Sequence, residues 1–325
     1  MLSKRHTLVL ALPLGASLLL AGCGGSSSSG GSGGTAGSGT GASSAPGSSS
    51  AASGGAGAST GAGAGGGTNA AAAALVPSSV KGKGTLTVAA DASYAPNEFF
   101  KPGTHTIVGM DVDLAQAIGK ELGLKVNVVN QTFDSIIPGI QAGRYDLGMS
   151  SFTDTKKREQ VVDFVTYFNA GTSFFVKQGS PQITSLDQLC GLSVAVEKGT
   201  TQADDGNAQS AKCTSAGKKP VKVDQYPDQG GANVALSSGR DSVAMADSPV
   251  AAYAVKQSNG AFQLSGSPYG TAPYGIAMPK GNAMAKAVQA ALKALIADGT
   301  YKNILGTWGV QNGAITNPVI NGAQS

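Results

Sequence analysis

The chain has 325 residues and carries 23 Lys and Arg against 19 Asp and Glu, a formal net charge of +4. So small an excess argues against a strongly basic nucleic-acid surface, and we expect no nucleic-acid partner. The sequence has only two histidines and no Cys/His pair with the spacing of a zinc site. We therefore expect neither a bound metal nor a cofactor.

Residues 1–22 have the pattern of an export signal. A positively charged start precedes a mostly apolar run over residues 8–20, which is too short to span a bilayer stably. The end of the segment, Leu20-Ala21-Gly22-Cys23, resembles the lipobox of bacterial lipoproteins, in which Cys23 becomes the lipidated N-terminus. An ordinary signal peptide followed by an accidental cysteine is the alternative.

Residues 23–80 are predicted to comprise the lipidated cysteine and a disordered linker. Residues 24–74 contain 18 Gly, 14 Ala and 13 Ser, with no charged, aromatic or branched aliphatic residue. Such a segment cannot form a hydrophobic core. Residues 61–66 match the dinucleotide pattern G-x-G-x-x-G, but no strand pattern precedes them, so we interpret the match as a coincidence of composition.

From Thr85 onward, strand and helix patterns alternate. The predicted strands are residues 86–90, 125–129, 147–150, 193–196, 221–225 and 242–246. The predicted helices are residues 111–122, 134–142, a segment that begins at Thr201, and residues 232–238, 249–256 and 282–298. Two successive βαβ series predict an α/β protein with two lobes, each a mainly parallel sheet flanked by helices.

Small molecules bind at the carboxyl ends of the strands in open parallel sheets. The residues at those positions are Asp91, Tyr94, Phe133, Ser150, Ser151, Phe152, Thr153, Arg158, Glu197, Gly199, Thr200, Thr201, Gln202 and Asp247. This set holds one arginine, several hydroxyls, acids and aromatic rings, but no nucleophile next to a base. It favours the binding of a zwitterion over a chemical reaction.

Seven short stretches occur in the order typical of one protein family. They are DASYAP at 91–96, VGMDVDL at 108–114, FDSIIP at 133–138, residues 146–164, GTTQ at 199–202, SGRD at 238–241 and DGT at 298–300. Over residues 85–310 the chain thus resembles bacterial solute-binding proteins of the polar amino acid type, which serve ABC importers and bind lysine, arginine, ornithine, histidine or glutamine.

The resemblance implies a two-lobed periplasmic-binding-protein-like fold of type II with a two-strand hinge. Lobe 1 is expected at 84–170 and 273–321, and lobe 2 at 171–272. The implied function is that of a substrate-binding lipoprotein of an ABC-type importer. It would be a monomer, anchored by lipid alone to the outer face of the cell membrane, and would deliver a polar L-amino acid, with cationic ones favoured, to a membrane permease. The alternative is an exported enzyme on the same fold, such as a cyclohexadienyl dehydratase-like protein.

The resemblance also assigns roles to the ligand-binding residues. Arg158, Ser150, Ser151 and Thr153 would hold the α-carboxylate, Thr201 and Gln202 would close on the same group, Asp247 would accept from the α-ammonium, Tyr94 and Phe133 would form aromatic walls, and Asp91 would reach the far end of the side chain. A guanidinium can hold a carboxylate through two hydrogen bonds, which supports the first role independently.

Several of these residues also have a plainer interpretation. Arg158 could lie on a solvated helix face, Asp247 could cap the helix that follows it, and Asp91 could be a turn residue. The aromatic residues could simply pack in the core. Glu98 and Glu197 stand where the family pattern varies, and the sequence leaves open whether they face the pocket.

A disulfide between Cys190 and Cys213 is predicted. These are the two cysteines that remain in an exported chain once Cys23 is lipidated. Cys190 precedes a predicted strand and Cys213 follows the next helical stretch, so they can lie close together. Two free thiols are the alternative.

We predict that Cys23→Ser releases the protein from the membrane. A diacylated Cys23 is the only anchor that we expect, because no later run of 18 apolar residues occurs. Detergent partitioning of the wild-type protein and the variant, produced in the same bacterial host, measures the difference. Unchanged membrane attachment of the variant would contradict the lipid anchor.

Overall fold

The computed structural model of the protein describes residues 67–324. The predicted export signal, Cys23 and the linker up to residue 66 lie outside the described residues. Within residues 67–324, no helix is both long enough and apolar enough to cross a bilayer.

Helices and strands alternate along this part of the chain. The helices are α1 (Ala70–Ala74), α2 (Ser78–Lys83), α3 (Met110–Leu122), α4 (Phe133–Gln141), α5 (Lys156–Glu159), α6 (Thr201–Ser215), α7 (Gln229–Ser238), α8 (Ser248–Gln257), α9 (Met284–Ala297) and α10 (Thr300–Trp308). The strands are β1 (Thr85–Ala90), β2 (Ser93–Tyr94), β3 (Glu98–Phe100), β4 (Ile107–Val108), β5 (Lys125–Asn130), β6 (Leu147–Gly148), β7 (Val162–Lys177), β8 (Ser193–Glu197), β9 (Lys222–Tyr226), β10 (Val243–Asp247) and β11 (Phe262–Pro279). Every predicted element is found within a few residues of its expected bounds.

The central sheet has eight strands in the order β5-β1-β6-β11-β7-β10-β8-β9. Strand β1 pairs in parallel with β5 and β6, and β8 pairs in parallel with β9 and β10. The long strands β7 and β11 run antiparallel to each other through the middle of the sheet. The predicted α/β fold is confirmed, and β7 and β11 join its two mainly parallel halves into one hydrogen-bonded sheet.

The buried side chains form separate clusters on either side of the middle of β7 and β11. We call lobe 1 the part packed around α3 and α9, with Leu114 and Leu292 in its core, and lobe 2 the part packed around α7 and α8, with Leu236 in its core. Between them, the register of β7 against β11 shifts twice over residues 265–272. An irregular ladder bends more readily than a regular one, so this stretch is suited to a change of angle between the lobes.

The end of the predicted linker is folded, which corrects the expected boundary at residue 80. The Asn69 side chain accepts a hydrogen bond from the Ala72 N–H (3.1 Å) and caps α1. Ala72, Val76 and Val80 are buried against the core of lobe 1. Five consecutive alanines favour a helix as soon as a cap and a packing surface are supplied, although their composition resembles that of the linker.

Cys190 and Cys213 form a disulfide, with 5.6 Å between their Cα atoms. Cys190 ends the 3-10 turn Leu186–Leu189, and Cys213 lies near the end of α6. The predicted pairing is confirmed. The bond ties the segment that leads into β8 to the helix that follows β8.

We predict that replacing both cysteines, Cys190→Ala together with Cys213→Ala, lowers the free energy of unfolding by about 3 kcal/mol, because the unfolded chain regains the freedom of a closed loop. Urea unfolding of the oxidised wild-type protein and the double variant measures the loss. The native wild-type protein should show no reaction of either cysteine with a thiol reagent. Equal free energies of unfolding would mean that the disulfide contributes nothing.

Candidate functional site

The candidate site lies where the carboxyl ends of β1 and β6 in lobe 1 meet those of β8 and β10 in lobe 2. The hydrogen bonds that join the lobes there include Asp247 N–H to the Tyr94 hydroxyl (3.1 Å), Arg158 Nη2 to the Gly199 carbonyl (3.0 Å), and Gln229 N–H to Ser93 Oγ (3.1 Å). The lobes are therefore closed on each other. The residues predicted at the strand ends lie along this boundary.

Arg158 is held at the boundary by α5 and by two aromatic rings. The Thr155 hydroxyl accepts from the Arg158 N–H and caps the helix (3.2 Å). The guanidinium carbon lies 5.4 Å from the ring centres of both Phe133 and Phe152. Burial lowers the pKa of Arg158 to about 10, so the side chain stays cationic at neutral pH. Unlike the exposed Lys156 beside it, Arg158 does not belong to a solvated helix face.

Two of the five N–H donors of the Arg158 guanidinium are used by backbone carbonyls. Nη1 donates to the Thr153 carbonyl (2.8 Å) and Nη2 to the Gly199 carbonyl. Thr153 therefore contributes its backbone to the position of the arginine. The remaining donors can hold a carboxylate oxygen.

Asp247 lies at the end of β10, in the position that precedes α8. Its carboxylate makes no capping bond to that helix. Instead, Oδ1 accepts from the Gln202 amide (2.7 Å) and Oδ2 accepts from the Tyr274 hydroxyl (2.7 Å). Gln202 also donates to Thr172 Oγ1 in β7 (2.9 Å). Burial raises the pKa of Asp247. The side chain is thus anchored by its neighbours and is not used as a helix cap.

Thr201 and Gln202 open α6 in lobe 2. The Thr200 hydroxyl caps the helix by accepting from the Ala203 N–H (3.2 Å). Thr201 Oγ1 donates to the Gln202 side-chain oxygen (3.5 Å), and the Gln202 amide binds Asp247. The structure therefore links these two predicted residues to the predicted acceptor of the ammonium group.

Asp91 and Glu197 face each other across the boundary from the ends of β1 and β8. Asp91 accepts from the N–H groups of Phe133 (3.0 Å) and Ser93 (3.1 Å). The carboxyl of Glu197 lies close enough to that of Asp91 for each to shift the pKa of the other, and Glu197 is only 2% exposed. Its Oε1 atom has no hydrogen-bond partner among the residues that the structure describes.

Burial and the surrounding carboxylates control the protonation of this pair. Burial, with a further contribution from Asp91 and Asp228, raises the pKa of Glu197 well above its ordinary value. Burial also raises the pKa of Asp91. Two neighbouring buried carboxyls do not both ionise easily, so the pair favours keeping one proton. A cation between them would replace that proton.

Ser150 and Ser151 direct their hydroxyls into lobe 1. Ser150 Oγ donates to Glu98 Oε1 and accepts from the Asp91 N–H, both at 2.9 Å. Ser151 Oγ donates to Glu98 Oε2 (3.2 Å), and its N–H donates to Asp111 Oδ2 (2.9 Å). Glu98 therefore faces the interior of lobe 1, and its part in the site is to hold the loop after β6.

Glu98 and Asp111 form a buried acid pair behind that loop. Burial raises the pKa of Asp111 to about 6, although the Tyr167 hydroxyl donates to its carboxylate (2.7 Å). Burial and the Asp111 charge raise the pKa of Glu98 well above its ordinary value. Glu98 is therefore the member of the pair that favours its protonated form, beside the charge of Asp111.

Two aromatic side chains border the site from lobe 1. Phe133 stacks on Phe152, with ring centres 4.4 Å apart. Tyr94 is buried among side chains of lobe 2, including Phe175 and Leu236. Both rings pack in the core and also contact groups of the site. Each ring can therefore serve as a core residue and as a wall of the site.

Three residues of the site were not singled out by the sequence. Tyr274 and Thr172 lie in the long strands β11 and β7, where a continuous strand pattern gives no sign of a polar role. Asp228 caps α7 by accepting from the Gly231 N–H (2.7 Å), and it also adds negative charge beside Asp91 and Glu197. The N-cap pattern could have identified its position but not its neighbours.

The chain is similar in sequence and in structure to known solute-binding proteins. Residues 86–311 match the family described as bacterial extracellular solute-binding proteins, family 3. The arginine-binding protein ArgT of Corynebacterium glutamicum is 36% identical over 251 residues, which cover 76% of this chain and 82% of that protein. The ABC transporter glutamine-binding protein GlnH of Bacillus subtilis is 32% identical over 213 residues, 64% of this chain and 74% of that protein. A solved structure of an ancestral arginine-binding protein bound to arginine matches with a TM-score of 0.64 and 37% identity, over 69% of this chain and 98% of that chain.

We predict that Glu98→Ala lowers the free energy of unfolding by about 2–3 kcal/mol, whereas Glu98→Gln costs much less, because glutamine keeps the size and the hydrogen bonds of a protonated carboxyl. The two variants also differ in their response to pH. Because the folded pKa of Glu98 is raised, the folded state keeps a proton that the unfolded state loses above about pH 4.5. The contribution of this proton to the free energy of unfolding of the wild type is complete below that pH and declines as the pH rises.

Glu98→Gln has no such proton, so its free energy of unfolding should improve relative to the wild type between pH 5 and pH 8. Urea unfolding at the two pH values measures the difference. A difference between Glu98→Gln and the wild type that is the same at both pH values would show that Glu98 is ionised in the folded protein.

Proposed function

The chain belongs to the bacterial extracellular solute-binding proteins of family 3, and we propose that it delivers a cationic L-amino acid, arginine foremost, to an ABC importer. It acts outside the cytoplasm as a monomeric binding protein held by a lipid on Cys23, and it is not an enzyme. The observation that carries the choice of ligand is the Asp91–Glu197 pair, which closes over one end of the site with an unpartnered buried oxygen.

The backbone of an α-amino acid fits the groups at the other end of the site. The Arg158 guanidinium, with three N–H donors left, holds the α-carboxylate, and the N-terminus of α6 at Thr201 adds to the attraction. Asp247 accepts from the α-ammonium and keeps its bonds from Gln202 and Tyr274, because each carboxylate oxygen can accept more than one hydrogen bond. Phe133 and Tyr94 cover the aliphatic part of the side chain.

The Asp91–Glu197 pair selects the side chain by charge. A guanidinium presents five donors in one plane and can bind carboxylates on two sides, so it replaces the shared proton of the pair. The amide of glutamine can hydrogen-bond there but leaves the charge of the carboxylates uncompensated. A carboxylate on the ligand would add a third acid to a buried site. Arginine is therefore favoured over glutamine and strongly over glutamate.

Closure of the lobes turns binding into a signal. Ligand groups contact Arg158 and Asp91 in lobe 1 and Asp247 and Glu197 in lobe 2, so the ligand stabilises only the arrangement in which both lobes reach it. We place the hinge where β7 and β11 pair irregularly, over residues 265–272 of β11. A permease that recognises both lobes together can then distinguish the loaded protein.

Calorimetric titration with arginine, lysine, glutamine and glutamate tests the proposal. We expect arginine to bind most tightly and glutamate to bind least. Glu197→Gln and Asp91→Asn should each weaken arginine binding by about 1.5–3 kcal/mol, the range for hydrogen bonds to charged groups. The affinity of each variant for glutamine should stay within a few fold of the wild-type value. Because the cation displaces a proton from a group with a raised pKa, arginine affinity should also increase from pH 5 to pH 8.

Arg158→Ala serves as the comparison for the common part of the ligand. The variant should weaken the binding of every amino acid tested by about 2–5 kcal/mol, because the α-carboxylate is enclosed without its cation. Glutamate binding tightest, or arginine affinity indifferent to both acid variants, would contradict the cationic ligand. If the purified protein converted the bound amino acid into a product, the protein would be an exported enzyme and the proposed function would be wrong.

A further inference from the structure

Three consecutive residues, the last of β8 and the first two of the loop that leads to α6, contact lobe 1. Glu197 meets Asp91, Lys198 Nζ lies 2.7 Å from Asp134 Oδ2, and the Gly199 carbonyl accepts from Arg158. The first and third contacts belong to the site described above. The second lies beside it, since Asp134 follows Phe133 in the first turn of α4.

The Lys198–Asp134 ion pair is held in place on both sides. Asp134 Oδ1 accepts from the Thr132 hydroxyl (2.9 Å), and the Lys198 N–H donates to the Tyr226 carbonyl in β9 (2.9 Å). Lys198 lowers the pKa of Asp134, so the aspartate is ionised at neutral pH. The side chains are 61% and 30% exposed, which places the pair at the mouth of the cleft.

Gly199 allows the loop to approach α4 this closely. Its φ of +82° lies in the left-handed region, and a Cβ atom there would lie 2.9 Å from the Cβ atom of Asp134. Any side chain at this position would push the loop away from lobe 1. The ion pair and the Arg158 bond to the Gly199 carbonyl both depend on that approach.

We propose that Lys198, Asp134 and Gly199 form an interlobe latch that slows release of the bound amino acid. The inference rests on the proposed function, since it concerns the ligand of the same site. The partners belong to different lobes, so their contact stabilises only the closed arrangement. Because the ligand can leave only when the lobes part, a contact of this kind acts on dissociation.

Stopped-flow dissociation of arginine from the full chain tests the latch. Asp134→Asn, Lys198→Met and the double variant should each release arginine about two- to fivefold faster than the wild type, as expected for a partly exposed ion pair. The double variant should be no faster than either single variant, because both remove the same contact. Raising the salt concentration should accelerate release from the wild type and have little effect on Lys198→Met.

The lysine variant separates a latch from general electrostatics. Arginine is cationic, so removing a nearby positive charge without breaking a contact would slow its release; the latch predicts faster release. Asp224→Asn is the control for removing a negative charge, because Asp224 pairs with Lys222 within β9 of lobe 2, with side chains 25% and 67% exposed, and this pair does not join the lobes. It should leave the dissociation rate unchanged.

Gly199→Ala tests the close approach, and Gly179→Ala is its matched control. Gly179 has a φ of +80°, yet no atom lies within 4 Å of the position of an added Cβ. Both variants carry the same backbone strain, but only Gly199→Ala meets Asp134. Gly199→Ala should weaken arginine binding at least tenfold more than Gly179→Ala does.

The outcomes distinguish the latch from the proposed function. A wild-type protein that binds arginine but releases it at the same rate as Asp134→Asn and Lys198→Met overturns the latch alone. Slower release from Lys198→Met, or additive effects in the double variant, also overturns it. A wild-type protein that binds no cationic amino acid overturns the proposed function and the latch with it.

Discussion

The antiparallel pairing of β7 with β11 is the constraint on which the site depends. In the described part of the chain, these two strands carry the backbone from lobe 1 to lobe 2 and back. The same strands supply Thr172 and Tyr274, which orient Gln202 and Asp247 in lobe 2. A change of angle where their ladder is irregular therefore moves the proposed acceptor of the α-ammonium relative to Arg158. Motion of the lobes and geometry of the site are properties of one pair of strands.

The balance of charge within the closed site supports the proposal of a cationic ligand. Arg158 contributes a positive charge to the site. The acids near the site are Asp91, Glu197, Asp228 and Asp247. A zwitterion adds no net charge, so it leaves the acid pair dependent on its proton. A ligand with an additional positive charge compensates one carboxylate in a region where burial makes an isolated charge costly. The preference thus follows from the whole set of groups, and no single aspartate determines it.

Much of the fold could be predicted because each element has a strong local pattern. The helix over Met110–Leu122 combines apolar spacing with a glycine at its end, and the short β-rich runs recur between such helices. The positions of Arg158, Asp91 and Asp247 followed from the rule that ligands bind at the ends of parallel strands. The continuity of β7 and β11 across both lobes could not be predicted in this way, because local patterns do not state which strands pair.

Side-chain direction was the part that the sequence could not supply. Glu98 and Glu197 are both acids at positions where the family pattern varies, yet Glu98 lies inside lobe 1 and Glu197 faces Asp91. The difference arises because β3 belongs to a small separate sheet, whereas β8 belongs to the central one. The helix α1 was missed for a related reason, since five alanines reveal nothing about the surface against which they pack.

In the proposed binding mode, selectivity and closure are linked through three consecutive residues at the end of β8 and the start of the following loop. Glu197 would contact the side chain of the ligand, while Lys198 and Gly199, the next two residues, make the neighbouring contacts with lobe 1. A ligand that leaves Glu197 poorly paired holds the loop away from Asp91, and the backbone then carries Lys198 and Gly199 away from Asp134 and Arg158 as well. The wrong side chain is therefore penalised twice, in its own contact and in the contacts between the lobes. Discrimination of this kind appears chiefly in the lifetime of the closed state, because it acts on contacts that form only after the ligand has entered.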